Sequence, residues 1–147
     1  MFVMTERFTI LISFSCTPST DSHVRISFDE FTMGVLRTLN MAPTQLHPNS
    51  WASLQAFRLL VEMFFLNPSP HVFLHYYSSH PFDPVKWSSL ISKLGVILFS
   101  PFASCYKYFK DEFFKVSIEP VGWHHFFDGN NHKFPPYWTQ NPIRYHY

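Results

Sequence analysis

From residue 27 onward the apolar positions take a helical period. Phe31, Val35 and Leu39 fall on one face, with Phe28 leading in and Leu36 at the margin, while Glu30 and Arg37 point away. Ser27 and Glu30 have the spacing of a capping box, so the pattern predicts a helix over residues 27–40, ended by Asn40 and the approaching Pro43. Gly34 in its middle weakens the helix, which predicts a close neighbour there. Residues 42–49 contain Pro43 and Pro48, and each restricts its own φ and pushes the preceding residue toward extended backbone. This predicts a stiff connector. Asn49 or Ser50 then caps a second helix over about residues 51–66. Its polar stripe is only Gln55, Arg58 and Glu62, with Glu62 spaced to pair with Arg58. A helix apolar most of the way round is expected at the centre of its domain.

Ser69 and Pro70 have the form of a cap and first-turn residue for a short third helix carrying Val72, Phe73, Tyr76 and Tyr77, with a buried strand as the alternative. Beyond Pro84 the period changes. Residues 85–92 and 96–100 are β-prone runs about Lys93-Leu94-Gly95, which predicts a hairpin, and Asp83 sits in a Pro-Phe-Asp-Pro turn. Residues 104–111 fit neither period. In 113–118, Phe113, Lys115 and Ser117 alternate with Phe114, Val116 and Ile118 as in a half-buried strand. After Glu119 the text is rich in Pro, aromatics and His, and predicts an irregular tail laid over the domain. Ahead of residue 27, Phe8, Ile10, Ile12 and Phe14 alternate like a strand and residues 17–22 form a polar break, so 1–26 read as an unassigned leader. The sum is an α+β fold in a single domain over 27–147: N-terminal helices around a Pro-rich connector, a small antiparallel β unit, and an irregular aromatic tail.

Composition adjusts this picture at a few points. With 147 residues the chain suits one domain with its own core. Charged residues are 14% and aromatics 20%, Phe alone numbering 18, which is the opposite of a disordered composition. So many rings on so few charges predict that some cover a partner, either a second copy or another protein. The net charge of +1 lacks the basic excess of most nucleic-acid-binding domains. Cys16 and Cys105 are the two cysteines; one disulfide is open to them, and buried free thiols in a reducing compartment are the expectation. No apolar run reaches the ~20 residues that span a bilayer. Residues 8–14 have the shape of a signal-peptide core, but Glu6 and Arg7 cancel in its flank, so an intracellular site, nuclear or cytoplasmic, is expected.

The words of the sequence also carry a resemblance. The run VLRTLNMAPTQLHPNSWA, with Leu39, Asn40, Ala42, Pro43, Gln45, Leu46, Pro48 and Trp51, resembles the signature of the gypsy-type transposase domain found in plant retrotransposon-derived reading frames. Further segments follow in order. HVFLHYYSS resembles an aromatic segment of that family, and Trp87-Ser88-Ser89 resembles its tryptophan strand, with Val85-Lys86 where the family has glycine. PFASCYKYFKDEFFKVSI and FPPYWTQNP resemble two later elements. The matches run over about residues 27 to 142. The resemblance implies a mobile-element origin near a gag-like region and a domain truncated at its C-terminus. It brings no catalytic residues and no cofactor.

Candidate chemistry is thin. A two-metal nuclease needs carboxylates converging on ions about 4 Å apart, and Asp29, Glu30, Glu62, Asp83, Asp111, Glu112, Glu119 and Asp128 sit in caps, pairs and turns instead. His71 and His75 have H-x-x-x-H spacing, without a third ligand beside them. Lys107, Lys110 and Lys115 interleave with Tyr106, Tyr108, Phe109 and Phe113, the pattern by which single-stranded RNA or DNA is held, phosphate on ammonium and base on ring. The same pattern describes core rings with a lysine-lined strand edge. The helix–connector–helix at 27–54 differs from a DNA-reading motif in its longer, proline-stiffened turn and in a second helix with Arg58 as its only basic residue. The expected function is a non-enzymatic interaction or assembly module, the alternative a nucleic-acid binder or a remnant of a transposition enzyme.

Overall fold

Helix α1 (Glu30–Leu39) begins where Asp29 can close it: Asp29 Oδ1 accepts from the Thr32 amide at 2.8 Å. The computed structural model, which describes residues 10–17, 20–26, 28–84, 86–93, 95 and 123–146, thus places the cap later than the Ser27–Glu30 box predicts. Asp29 suffices because its other oxygen accepts from Arg58 at 2.7 Å, which fixes the carboxylate in place. Glu30 pairs with Lys133 of the tail, and Arg58 reaches Asp29 rather than Glu62. The helix stops at Asn40, whose φ of 49° is a conformation that Asn tolerates, and the Asn40 and Met41 amides close on the Arg37 and Leu36 carbonyls.

The connector is stiff, as its two prolines imply. Residues Pro43–Gln45 form a 3-10 turn, and Leu46 bridges in parallel to Ser88, with the His47 amide donating to the Ser88 carbonyl at 2.9 Å. Helix α2 (Pro48–Met63) starts with proline at its first position, and His47 Nδ1 accepts from the Asn49 amide at 3.1 Å. The cap is therefore His47, not Asn49 or Ser50. Proline at the first turn moves the start back, and Ser50 Oγ instead accepts from the Leu90 amide at 2.8 Å.

Helix α3 (Pro70–Tyr76) follows Ser69 as expected and passes directly into strand β3 (Tyr77–Phe82). Numbered in chain order, the strands before it are β1 (Ile10–Thr17) and β2 (Thr20–Ile26), an antiparallel hairpin whose second strand lies beside α2. Strand β3 pairs antiparallel with β4 (Trp87–Ser92), Tyr77 opposite Ser92 and Phe82 opposite Trp87. The hairpin turns at 83–86, through a cis Asp83–Pro84 bond, so the Pro-Phe-Asp-Pro turn joins these strands and the partner of β4 precedes it in sequence. The predicted run 96–100 and the strand 113–118 lie outside the described residues. The tail resumes with a one-turn helix α4 (Trp123–Phe126) and a minimal hairpin, β5 (Phe127–Asp128) with β6 (Asn131–His132). The described fold is α+β: an antiparallel hairpin, then helices, followed by small antiparallel strand pairs.

The core inverts one expectation. Helix α1, not α2, is central: Phe31, Thr32, Met33, Gly34, Val35, Leu36 and Leu39 are all buried, leaving Arg37 and Glu30 in solvent. A Cβ on Gly34 would lie 2.6 Å from Pro70 Cγ, which is the close neighbour that this glycine predicts. Phe73 of α3 sits among Phe31, Phe57 and Tyr77, with ring centroids 5.7, 5.2 and 4.5 Å away. Phe28 stacks on Phe134 of the tail at 5.4 Å and meets Trp51 and Phe126 edge-on. The tail therefore builds core rather than merely covering it.

Two outcomes test this packing. Gly34→Ala should destabilise the fold by about 1–3 kcal/mol through overpacking, although alanine favours a helix by about 1 kcal/mol. In a Pro70→Ala background the sign should reverse, as urea titration of the four proteins will read. Gln45→Ala, which strips the acceptor from the Ala42 and Thr139 amides, should cost about 2–4 kcal/mol at the usual penalty for unsatisfied buried donors.

Candidate functional site

The signature residues come together as a corner, and the corner is internal. Leu39, Ala42, Leu46 and Trp51 are buried, Pro43 is buried, and Pro48 opens α2. Gln45 is fully enclosed, and its amide is completely used. Oε1 accepts from the Ala42 amide at 2.9 Å, the Thr139 amide at 2.8 Å and the Thr139 hydroxyl at 3.1 Å. Nε2 donates to the Thr139 carbonyl at 2.9 Å and the Lys86 carbonyl at 3.2 Å. Asn40 completes the contact: its carbonyl accepts from Thr139 Oγ1 at 2.6 Å, and its Nδ2 donates to the Asn141 carbonyl at 3.0 Å.

From there residues 139–146 run as a strap. The Ile143 amide donates to the Leu39 carbonyl at 2.8 Å, one of the acceptors that a helix end leaves open. Ser79 on β3 then grips the strap three ways. Its amide donates to the Tyr145 carbonyl at 3.2 Å, its Oγ donates to the Ile143 carbonyl at 2.6 Å, and its Oγ accepts from the Tyr145 amide at 2.7 Å. This chemistry holds a chain in place; it activates no nucleophile.

A second feature faces solvent. Only the first half of α2 is buried, through Ser50, Trp51, Ala52, Leu54 and Phe57. Beyond Phe57, Val61 is the last residue of the helix to pack on the core, and the apolar face continues into water. Leu59 is half exposed, Met63 is 75% exposed, Phe64 68%, Phe65 99% and Leu66 63%, with Val72 of α3 also exposed. The end of α2 is a paired-bond cap in which the Phe65 amide donates to the Glu62 carbonyl at 2.9 Å and the Leu66 amide to the Val61 carbonyl at 3.2 Å. That geometry puts Phe65 at a φ of 57°, a left-handed position that glycine or asparagine fills readily and a ring does not. Strain of this kind persists where something else requires the residue. The near-uniform apolarity of α2 was the available signal for this surface, but a core helix and a docking helix share it.

The remaining candidates disperse. Tyr106, Tyr108, Lys107, Lys110 and Lys115 lie outside the described residues, as do Cys105, Asp111, Glu112 and Glu119. His71 and His75 are exposed on α3, His75 edge-on to Tyr76 at 5.2 Å. Asp83 pairs with Lys86, whose hydrogen bond and charge hold the carboxyl below its usual range. Burial raises the Tyr77 hydroxyl, offset by hydrogen bonds with Ser92 and Ser53. Among the described residues no three His, Cys, Asp or Glu side chains gather as a metal site would need, and no helix is long and apolar enough to cross a membrane. An open pocket of about 400 Å³ at the β5–β6 turn is lined by His124, Phe127, Gly129 and Asn130, with no carboxylate or cysteine to make it reactive.

No curated protein and no solved structure matches the chain. A family model does: residues 19–81 match the family described as "Putative gypsy type transposon". That stretch holds β2, α1, the Gln45 corner, α2 with its exposed end, α3 and nearly all of β3. These elements are thus the part of the chain that is similar to a gypsy-type transposon family.

Proposed function

We propose that this transposon-related chain is a non-enzymatic assembly module of a gypsy-type retrotransposon, and that copies of it associate through the exposed end of α2. The observation that carries this reading is the apolar ridge at 63–66, crowned by Phe65 in a strained conformation with its ring in solvent. Two copies meeting by a two-fold axis would each contribute Met63, Phe64, Phe65 and Leu66, with Leu59 and Val72 beside them. Apolar side chains of this size bury on the order of 1,000 Å² together, which reaches the lower bound for a specific interface. A second copy supplies a matching apolar face at every concentration, and a two-fold contact needs only self-complementarity.

Sedimentation velocity across a concentration series tests the reading. The wild-type chain should shift from monomer to dimer or larger. Phe65→Asn should weaken that shift while raising the melting temperature, because it relieves about 1 kcal/mol of left-handed strain. A strict monomer at every concentration, or a Phe65→Asn variant that associates as the wild type does, would sink the idea.

The competing reading, single-stranded nucleic acid held by Lys107, Lys110 and Lys115 with Tyr106 and Tyr108, rests on the sequence pattern. It predicts salt-dependent RNA or DNA affinity that drops when the three lysines become glutamine, a loss readable by fluorescence anisotropy at low salt.

A further inference from the structure

The strap has two unequal halves. Its near half is locked: Thr139 is bonded to the enclosed Gln45 amide on three counts and to the Asn40 carbonyl on a fourth. Its far half is open to water, with Ile143, Arg144 and His146 exposed, and its hold on β3 is the Ser79 grip. Directly beside that grip, His80 of β3 meets His146 of the strap edge-on, ring centroids 5.6 Å apart. Two imidazoles at this distance coexist easily while neutral and repel when both gain protons. Arg144, one residue before Tyr145, adds a fixed positive charge from the same strap.

We propose that residues 141–146 form an acid-released latch on the edge of β3, closed while the facing His80 and His146 rings are neutral and loosened as they become protonated. Among the described residues, the charges that act on His80 are those of His146 and Arg144, both positive when protonated. On β4 the residue opposite His80 is Ser89, which does not titrate. The turn at 83–86 carries Asp83, but it is engaged by Lys86, and with Arg144 also acting on it the carboxyl remains ionised through the range in which histidine titrates. Burial, followed by the charges of His146 and Arg144, holds His80 below its ordinary value. A histidine whose value is lowered in the closed state binds fewer protons there than when released. The stability it lends the latch is complete above the ordinary value of about 6.5 and is lost as pH falls through it toward the lower, closed-state value. Opening the latch would free the Ser79 amide and hydroxyl on an edge of β3, the kind of edge to which an extended chain can add.

Amide hydrogen exchange on the full chain, expressed as protection factors so that intrinsic chemistry cancels, reads the latch directly between about pH 7.5 and about pH 5.5, on either side of the ordinary histidine value. The wild type should show a several-fold loss of protection at Ser79, Ile143 and Tyr145, while Met33 and Leu36 in α1 keep theirs. His80→Gln and His146→Gln should each reduce that loss; His146→Gln decides the matter if the β3 variant folds poorly, since His146 is exposed and contributes nothing to the core. Unchanged protection in the wild type, an equal loss in α1, or the same loss in both variants would overturn the proposal.

Discussion

The enclosed amide of Gln45 is the interaction on which the described structure depends. It sits where three stretches far apart in sequence must meet: the 3-10 turn it belongs to, the backbone at Lys86 before β4, and Thr139 in the tail. A buried amide left unbonded costs more than any one of these bonds contributes, so the three stretches are obliged to assemble together or not at all. The prolines on either side of Gln45 present the amide in one orientation, and the tail then answers it with the amide, carbonyl and hydroxyl of a single threonine.

Around that point the helices differ in how far the core encloses them. Helix α1 has 10 residues and is enclosed for its whole length, with Pro70 of α3 fitted against Gly34. Helix α2 has 16, is fully buried only as far as Phe57, and touches the core last through Val61. The remainder of its apolar face lies in water, and it ends in Phe65, the most exposed large apolar side chain among the described residues. The same exposure of the ridge at 63–66 makes it a surface on which copies of the chain could meet. The corner that carries the resemblance to the family and the segment proposed for association are thus neighbours with opposite settings, one turned inward and the other outward.

Much of the local structure was legible. The period of Phe31, Val35 and Leu39, the stop at Asn40, the stiffness about Pro43 and Pro48, the cap-and-proline start of α3 and the Pro-Phe-Asp-Pro turn all express local stereochemistry, and all appear where they were expected. The misreadings share a cause. Ser27 with Glu30 and Asp29 alone are both sound caps; the choice fell to Asp29 because Arg58, far along the chain, reaches it. Ser50 is a sound cap too, but the Leu90 amide claims its hydroxyl. Strand β4 pairs with β3, which precedes it and which the sequence did not name as its neighbour, since β propensity names a strand and not its partner; the run 96–100 lies outside the described residues.

The sequence by itself determined the places where backbone geometry is local: helix phases, proline-stiffened corners, turns, and a composition too aromatic to stay wholly in solvent. Only the tertiary structure decided which apolar helix is enclosed and which runs out into water, that the tail's Phe126 and Phe134 join the core, and that His80 and His146 face each other across the strap. The physical reason is that a hydrophobic residue specifies that it will be buried against something without specifying what. That identity is settled by which long-range polar groups, here the amide of Gln45 and the hydroxyl of Ser79, must be satisfied at the same time.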